Sequence, residues 1–162
     1  ASPQQMEQQA QQQAPSAAVS AGSRYRPVTA ADPDGRQIAL ADVLAANRFV
    51  LLDIWASWCG PCREEFPHLR KIYEQYRERG FAIYAVSIDD DRSAWLKALK
   101  KEQVTWINVV SPGSYDSPIA KSYGVGVIPA SFLIGSDGTI KATFAGRTAQ
   151  KLGPMLETLL PP

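Results

Sequence analysis

The chain has 162 residues, 45% hydrophobic and 20% charged, and its 17 Lys and Arg against 16 Asp and Glu leave a formal net charge of +1. That length suits one domain with an ordinary core, and the balance supplies no basic excess for nucleic acid or an acidic membrane surface. No apolar run approaches the roughly 18 residues of a membrane span, and no charged start followed by an apolar segment marks a signal peptide.

Seven of the first 13 residues are Gln, and no aromatic residue precedes Tyr25. Such a segment has too little apolar surface to offset its ordering entropy, so residues 1 to about 23 are expected to form a flexible tail, with the domain over 24–162. The tail reads either as a linker that followed a targeting sequence or membrane anchor, or as a dispensable end. Tyr25 to Thr29 and Arg36 to Leu40 flank "ADPDG" and predict a short leading hairpin. "RFVLLDIWAS" is the long apolar run of a central strand covered on both faces, with Asp53 as its one misfit.

From Cys59 to Arg79, the apolar positions Cys62, Phe66, Leu69, Tyr73 and Tyr76 recur at helical spacing. Pro61 fits the first turn, Pro67 lies inside and predicts a kink, and Gly80 ends the helix. "FAIYAVSID" is the next strand. Asp89, Asp90 and Asp91 then read as acids opening the helix "RSAWLKALKK", in keeping with its dipole. "TWINVV" is a further strand, "DSPIAKSYGV" a short helix capped by Ser117, and "ASFLIGSDGTIKATFAG" a hairpin around Asp137-Gly138. A final helix spans Thr148 to Leu160, interrupted at Gly153-Pro154 and starting cleanly only at Pro154. The alternation of strands and helices argues an α/β domain.

Cys59 and Cys62 are the only cysteines. Two thiols at this spacing can be a dithiol redox pair, half a zinc site or a structural disulfide. Zinc lacks further ligands beyond His68 and carboxylates, and a disulfide closing so small a loop stabilises little. Position favours redox chemistry: Cys59 falls at a strand-to-helix junction, where free N–H groups and the helix dipole favour a thiolate nucleophile. Cys62, one turn further along the buried stripe, would keep its proton and act as the resolving thiol. Burial should raise the pKa of Asp53, which would suit it to take the Cys62 proton, unless it is only a hydrogen-bonded structural acid. The Gly60-Pro61 pair offers no cation to hold a thiolate, which favours the disulfide state and makes the dithiol a reductant.

Two motifs together resemble the thioredoxin-like superfamily. In "LLDIWASWCGPC" Trp58 precedes the first cysteine and Asp53 stands at the family's buried aspartate. "YGVGVIPASFLI" resembles its cis-proline landmark at Pro129. The resemblance implies a thioredoxin-like fold, a central mixed β-sheet flanked by helices, and a cis Ile128-Pro129 bond whose backbone pairs with a substrate strand; a trans proline at a strand entrance is the alternative. The N-terminal hairpin, "REEFPHL" and an inserted helix and strand over about 90–117 resemble the TlpA/ResA group of extracytoplasmic thiol-disulfide oxidoreductases.

That group implies a bacterial, periplasmic enzyme that reduces disulfides of exported proteins, such as apocytochromes c or other thiol enzymes. Its partners would be a disulfide-containing substrate and an upstream electron donor, with no cofactor or metal and a monomeric state expected. It also implies that Glu65, three residues after Cys62, influences thiol titration; a solvated salt bridge with Arg63 or Arg70 is the alternative. A peroxiredoxin-like enzyme would need a Pro-x-x-x-Thr-x-x-Cys arrangement absent here, whereas a non-catalytic or copper-carrying binding protein remains a second reading. Trp95 and Trp106 are expected to be packing residues, and His68 to lie on a helix surface.

Overall fold

The computed structural model describes residues 2–4 and 19–162. Most of the expected tail, residue 1 and residues 5–18, lies outside the described residues. Residues 19–23 belong to the domain instead: Val19 is buried, the Gly22 amide donates to the Ile140 carbonyl at 2.8 Å, and the Ile140 amide donates to Ser23 at 2.9 Å.

The leading hairpin forms, but its first strand lies further along than expected, β1 being Thr29–Ala31 and β2 Gln37–Ala39. Asp32 fixes the turn, its Oδ1 accepting the amides of Asp34 and Arg36 at 2.9 Å each. Directly after β2 comes a helix absent from the sequence reading, α1 (Leu40–Ala46), which buries Leu40, Val43 and Leu44 at i, i+3 and i+4. The central strand β3 (Phe49–Trp55) leads into α2 (Gly60–Tyr76), and β4 (Phe81–Ser87), α3 (Arg92–Glu102) and β5 (Ile107–Val110) follow. Then come α4 (Pro118–Ser122), β6 (Ala130–Gly135), β7 (Ile140–Phe144) and α5 (Thr148–Leu159).

The α2 helix runs through Pro67 and ends in a 3-10 turn, where Gly80 at φ 98° supplies the left-handed conformation that stops it. The last helix also differs from expectation. It begins at Thr148 and continues through Gly153-Pro154 as one helix, because its buried stripe, Leu152 and Leu156, packs against the core and α5 packs on α2.

The seven strands form one mixed sheet in the order β2-β1-β5-β4-β3-β6-β7. Pairs β3–β4 and β4–β5 are parallel, and the others are antiparallel. β3 and β4 are buried almost throughout, which explains their unbroken apolar runs. Successive residues of β3 point to opposite faces, so Leu51, Asp53 and Trp55 share one. That face meets α2, because the Trp55 ring stands 4.8 Å from Phe66, which in turn lies 5.9 Å from Trp106. Trp95 and Trp106 are buried packing residues, as expected.

Candidate active site

Cys59 and Cys62 are joined in a disulfide at the N-terminus of α2. Cys59 is the N-cap, and its Sγ accepts the Cys62 amide at 3.2 Å, the place a capping oxygen ordinarily fills. A thiolate there would keep that hydrogen bond and gain the favourable end of the helix dipole. Gly60 and Pro61 form the first turn, where proline's missing N–H leaves nothing unsatisfied. Cys62 is turned onto the buried stripe with Phe66 and Leu69.

The loop ahead of the pair is gripped by an acid that the sequence reading assigned elsewhere. Asp89 does not open α3. It is 2% exposed, and its carboxylate accepts the Ser57 amide at 2.9 Å together with the hydroxyls of Ser57 and Ser87. Arg63 Nη1 donates to the Ser57 carbonyl at 3.3 Å from the other side. The neighbouring acids have separate tasks: Asp90 accepts the Gly113 amide at 2.8 Å, and Asp91 alone caps α3 through the Ala94 amide. A run of three acids before a helix thus resolves into a buried clamp, a loop tie and a cap.

Asp53 is 4% exposed and lies opposite Ser131 of β6, whose Oγ donates to its Oδ1 at 2.9 Å. Ser131 Oγ also lies 3.3 Å from Thr148 Oγ1, buried at the start of α5. Desolvation raises the Asp53 pKa from its ordinary 3.8 to about 7; the Ser131 hydrogen bond pulls it down and the charge of Glu65 pushes it up. Glu65 makes no ion pair with Arg63 or Arg70. Arg63 pairs with Glu102 at 2.9 Å, and Arg70 donates to the Glu102 carbonyl, while Glu65 Oε2 accepts the Ala149 amide at 3.4 Å. The salt-bridge reading of Glu65 is therefore replaced by a carboxylate that feels Asp53.

The Ile128-Pro129 bond is cis. Ile128 is buried while Val127 is open to solvent, and among the described residues neither finds a backbone hydrogen-bond partner. Pro129, Pro61, Glu65, His68, Gly146 and Arg147 line one cleft, which brings the cis proline to the helix turn that carries the disulfide. Trp58 is half exposed, with its ring 6.1 Å from that of Tyr115. The sequence-predicted residues Asp53, Trp58, Cys59, Cys62, Glu65 and Pro129 are thus gathered at the carboxyl end of β3. Ser57, Asp89, Ser131, Thr148 and Tyr115 were missed. Of these, Ser131 had a signal, since it lies two residues after the landmark proline in a strand expected to flank the site.

A parallel-centred sheet with a disulfide across the first turn of α2, a buried acid on the sheet face that α2 covers and a cis proline in the cleft beside that turn defines a thioredoxin-fold thiol-disulfide protein. The pattern of the Redoxin family matches residues 9–159, and the chain belongs to that family. It is 30% identical over 131 residues to the thiol-disulfide oxidoreductase ResA of Bacillus cereus, an overlap covering 80% of this chain and 73% of the relative. Among solved structures, it resembles the thioredoxin domain of a thiol-disulfide oxidoreductase from Bacteroides vulgatus, with TM-score 0.79, 28% identity and coverage of 88% and 99% of the two chains. A thiol:disulfide interchange protein from a Bacteroides species is similar at TM-score 0.77 and 28% identity, covering 88% of this chain and 91% of that one. The protein is a thioredoxin-like oxidoreductase of the TlpA/ResA type, with Cys59 and Cys62 as its redox-active pair.

Proposed function

We propose that the dithiol form reduces disulfides of exported, extracytoplasmic proteins. The reading is carried by Cys59 at the cap of α2. Its thiolate attacks one sulfur of a client disulfide, forming a Cys59–client mixed disulfide and expelling the first client thiolate. Cys62 then loses its proton, with Asp53 as the acceptor, and attacks Cys59 Sγ. The second client thiolate leaves as the Cys59–Cys62 disulfide closes. Two electrons pass to the client, and an upstream dithiol donor of the protein must return them before the next cycle.

The direction is supported by charge. No cation lies between the cysteines, Arg63 next to them is committed to Glu102, and the nearby side chains Asp53 and Glu65 are acidic. All of this disfavours a persistent thiolate and so favours the disulfide, the condition for a reductant. Ile128 and Pro129 are the proposed backbone dock for the client, and Glu65 tunes Asp53.

Cys62→Ser should accumulate client mixed disulfides through Cys59, Cys59→Ser should trap none, and the equilibrium potential should fall nearer to about −270 mV than to about −120 mV. Capture through Cys62 would reverse the two roles. A potential at the oxidising end would reverse the direction.

A further inference from the structure

Four large apolar side chains among the described residues are markedly exposed: Trp58 at 54%, Leu96 at 36%, Tyr115 at 39% and Val127 at 74%. Three of them belong to the redox site and its border. Trp58 precedes Cys59, Tyr115 stacks edge-on against Trp58, and Val127 lies two residues ahead of the cis proline. Exposed aromatic rings in contact, as Trp58 and Tyr115 are, mark an interaction surface when they border a reactive group.

Tyr115 is held there at a conformational cost. It sits in a 3-10 turn, Ser114–Asp116, entered through two successive residues at positive φ, Gly113 at 126° and Ser114 at 53°. A Cβ on Gly113 would come within 2.9 Å of the Ser117 backbone, so only glycine fits. The turn is tied to the end of β4: Asp90 accepts the Gly113 amide, and the Ser114 amide donates to the Ile88 carbonyl at 3.0 Å. Between those two anchors lies Asp89, which grips Ser57 next to Trp58. The Trp58 loop and the Tyr115 turn are therefore fixed to three consecutive residues, 88 to 90, and the two rings keep their relation without help from a ligand. The Tyr115 hydroxyl meets no partner among the described residues. Strained backbone that presents a half-exposed aromatic ring beside the reactive cysteines points to recognition rather than to folding.

We propose that Tyr115, with Trp58 and Val127, is a preformed wall that selects the client: an extended polypeptide with a large apolar side chain beside its reactive cysteine. The occupant follows from continuity with the disulfide and from the unpaired backbone at Val127 and Ile128, which an extended chain can meet with both its donors and its acceptors. An apolar neighbour of the client cysteine then lies against the rings while its sulfur reaches Cys59. This inference rests on the reductase reading above and adds a specificity determinant to it.

The test uses the reduced protein and two synthetic peptides, each with one cysteine in mixed disulfide with thionitrobenzoate, differing only in Leu or Ser before that cysteine. The readout is the ratio of their second-order rate constants for single-turnover reduction, followed by thionitrobenzoate release, which a general loss of activity does not move. The wild type should favour the Leu peptide about tenfold, Tyr115→Ala should bring the ratio to within about twofold, and Tyr115→Phe should restore it. Leu96→Ala, removing the exposed side chain outside the site, should keep the wild-type ratio. A wild-type ratio within about twofold, or an undiminished ratio in Tyr115→Ala, overturns the proposal. If the wild type reduces neither peptide nor 2-hydroxyethyl disulfide, the reductase reading itself fails, and this inference with it.

Discussion

Replacing Asp53 by asparagine keeps the shape of a side chain that is almost fully buried and removes its charge. In the folded protein this carboxyl titrates at about 7 rather than at its ordinary 3.8. Between those values the unfolded chain binds fewer protons than the native one, so stability is fully present below the ordinary value and is lost as pH rises to about 7. The interval is roughly three pH units, each worth about 1.4 kcal/mol, so the ionised acid costs the fold about 4 kcal/mol above neutrality. Asparagine does not ionise and escapes that cost. Urea unfolding of the oxidised proteins, whose thiols do not titrate, should show the stability difference between variant and wild type moving in the variant's favour by about 4 kcal/mol from about pH 4 to about pH 8. The same substitution should slow thiol exchange near neutral pH, because it deletes the proposed proton acceptor for Cys62. A stability difference that stays constant within about 1 kcal/mol across that range would refute the account of Asp53 as a desolvated, titrating acid.

The groups around Asp53 should move its titration in opposite directions. Ser131→Ala removes a hydrogen bond to the charged form and should raise the midpoint, while Glu65→Gln removes a like charge and should lower it, both read from the pH dependence of unfolding. Shifts of the same sign would contradict the geometry. Asp89→Asn turns an amide N–H₂ towards donors that now meet an acceptor, so it should destabilise the protein by about 1–3 kcal/mol in urea and lower kcat/KM for a small disulfide. Wild-type stability in that variant would mean that the clamp on Ser57 carries no energy.

Most of the fold was legible because its signals are local. The strand runs of β3 and β4, the helical stripe from Cys62 to Tyr76, the Ser117 cap and the Asp137-Gly138 turn each depend on residues a few places apart. Helix α1 was also written locally, at Leu40, Val43 and Leu44, but it follows β2 without a break, so Leu40 counts as the end of the hairpin and residues 41–47 carry no element in the sequence reading. Pro154 sent the reading of α5 astray because a local breaker was outweighed by tertiary packing of Leu152 and Leu156. The active-site pair was likewise readable from spacing, and the landmark proline from the resemblance of its surroundings to a family motif. Asp89 was not, since its partner Ser57 lies 32 residues away and nothing local separates a buried acid from two exposed neighbours. Tyr115 needed the third dimension for the same reason.

The leading residues that close against β7 have a consequence for how this molecule keeps company. Sheet edges are templates on which foreign strands can grow. Here one edge ends in the three-residue β2, and the other is partly sealed by Gly22, Ser23 and Tyr25, with Lys141 further along. Short strands, covering segments and lysines all discourage aggregation through edge pairing. A protein whose proposed clients are other polypeptide chains is thereby given little stickiness along its margins, which leaves the open backbone at Val127 and Ile128 as the proposed place for a visiting strand.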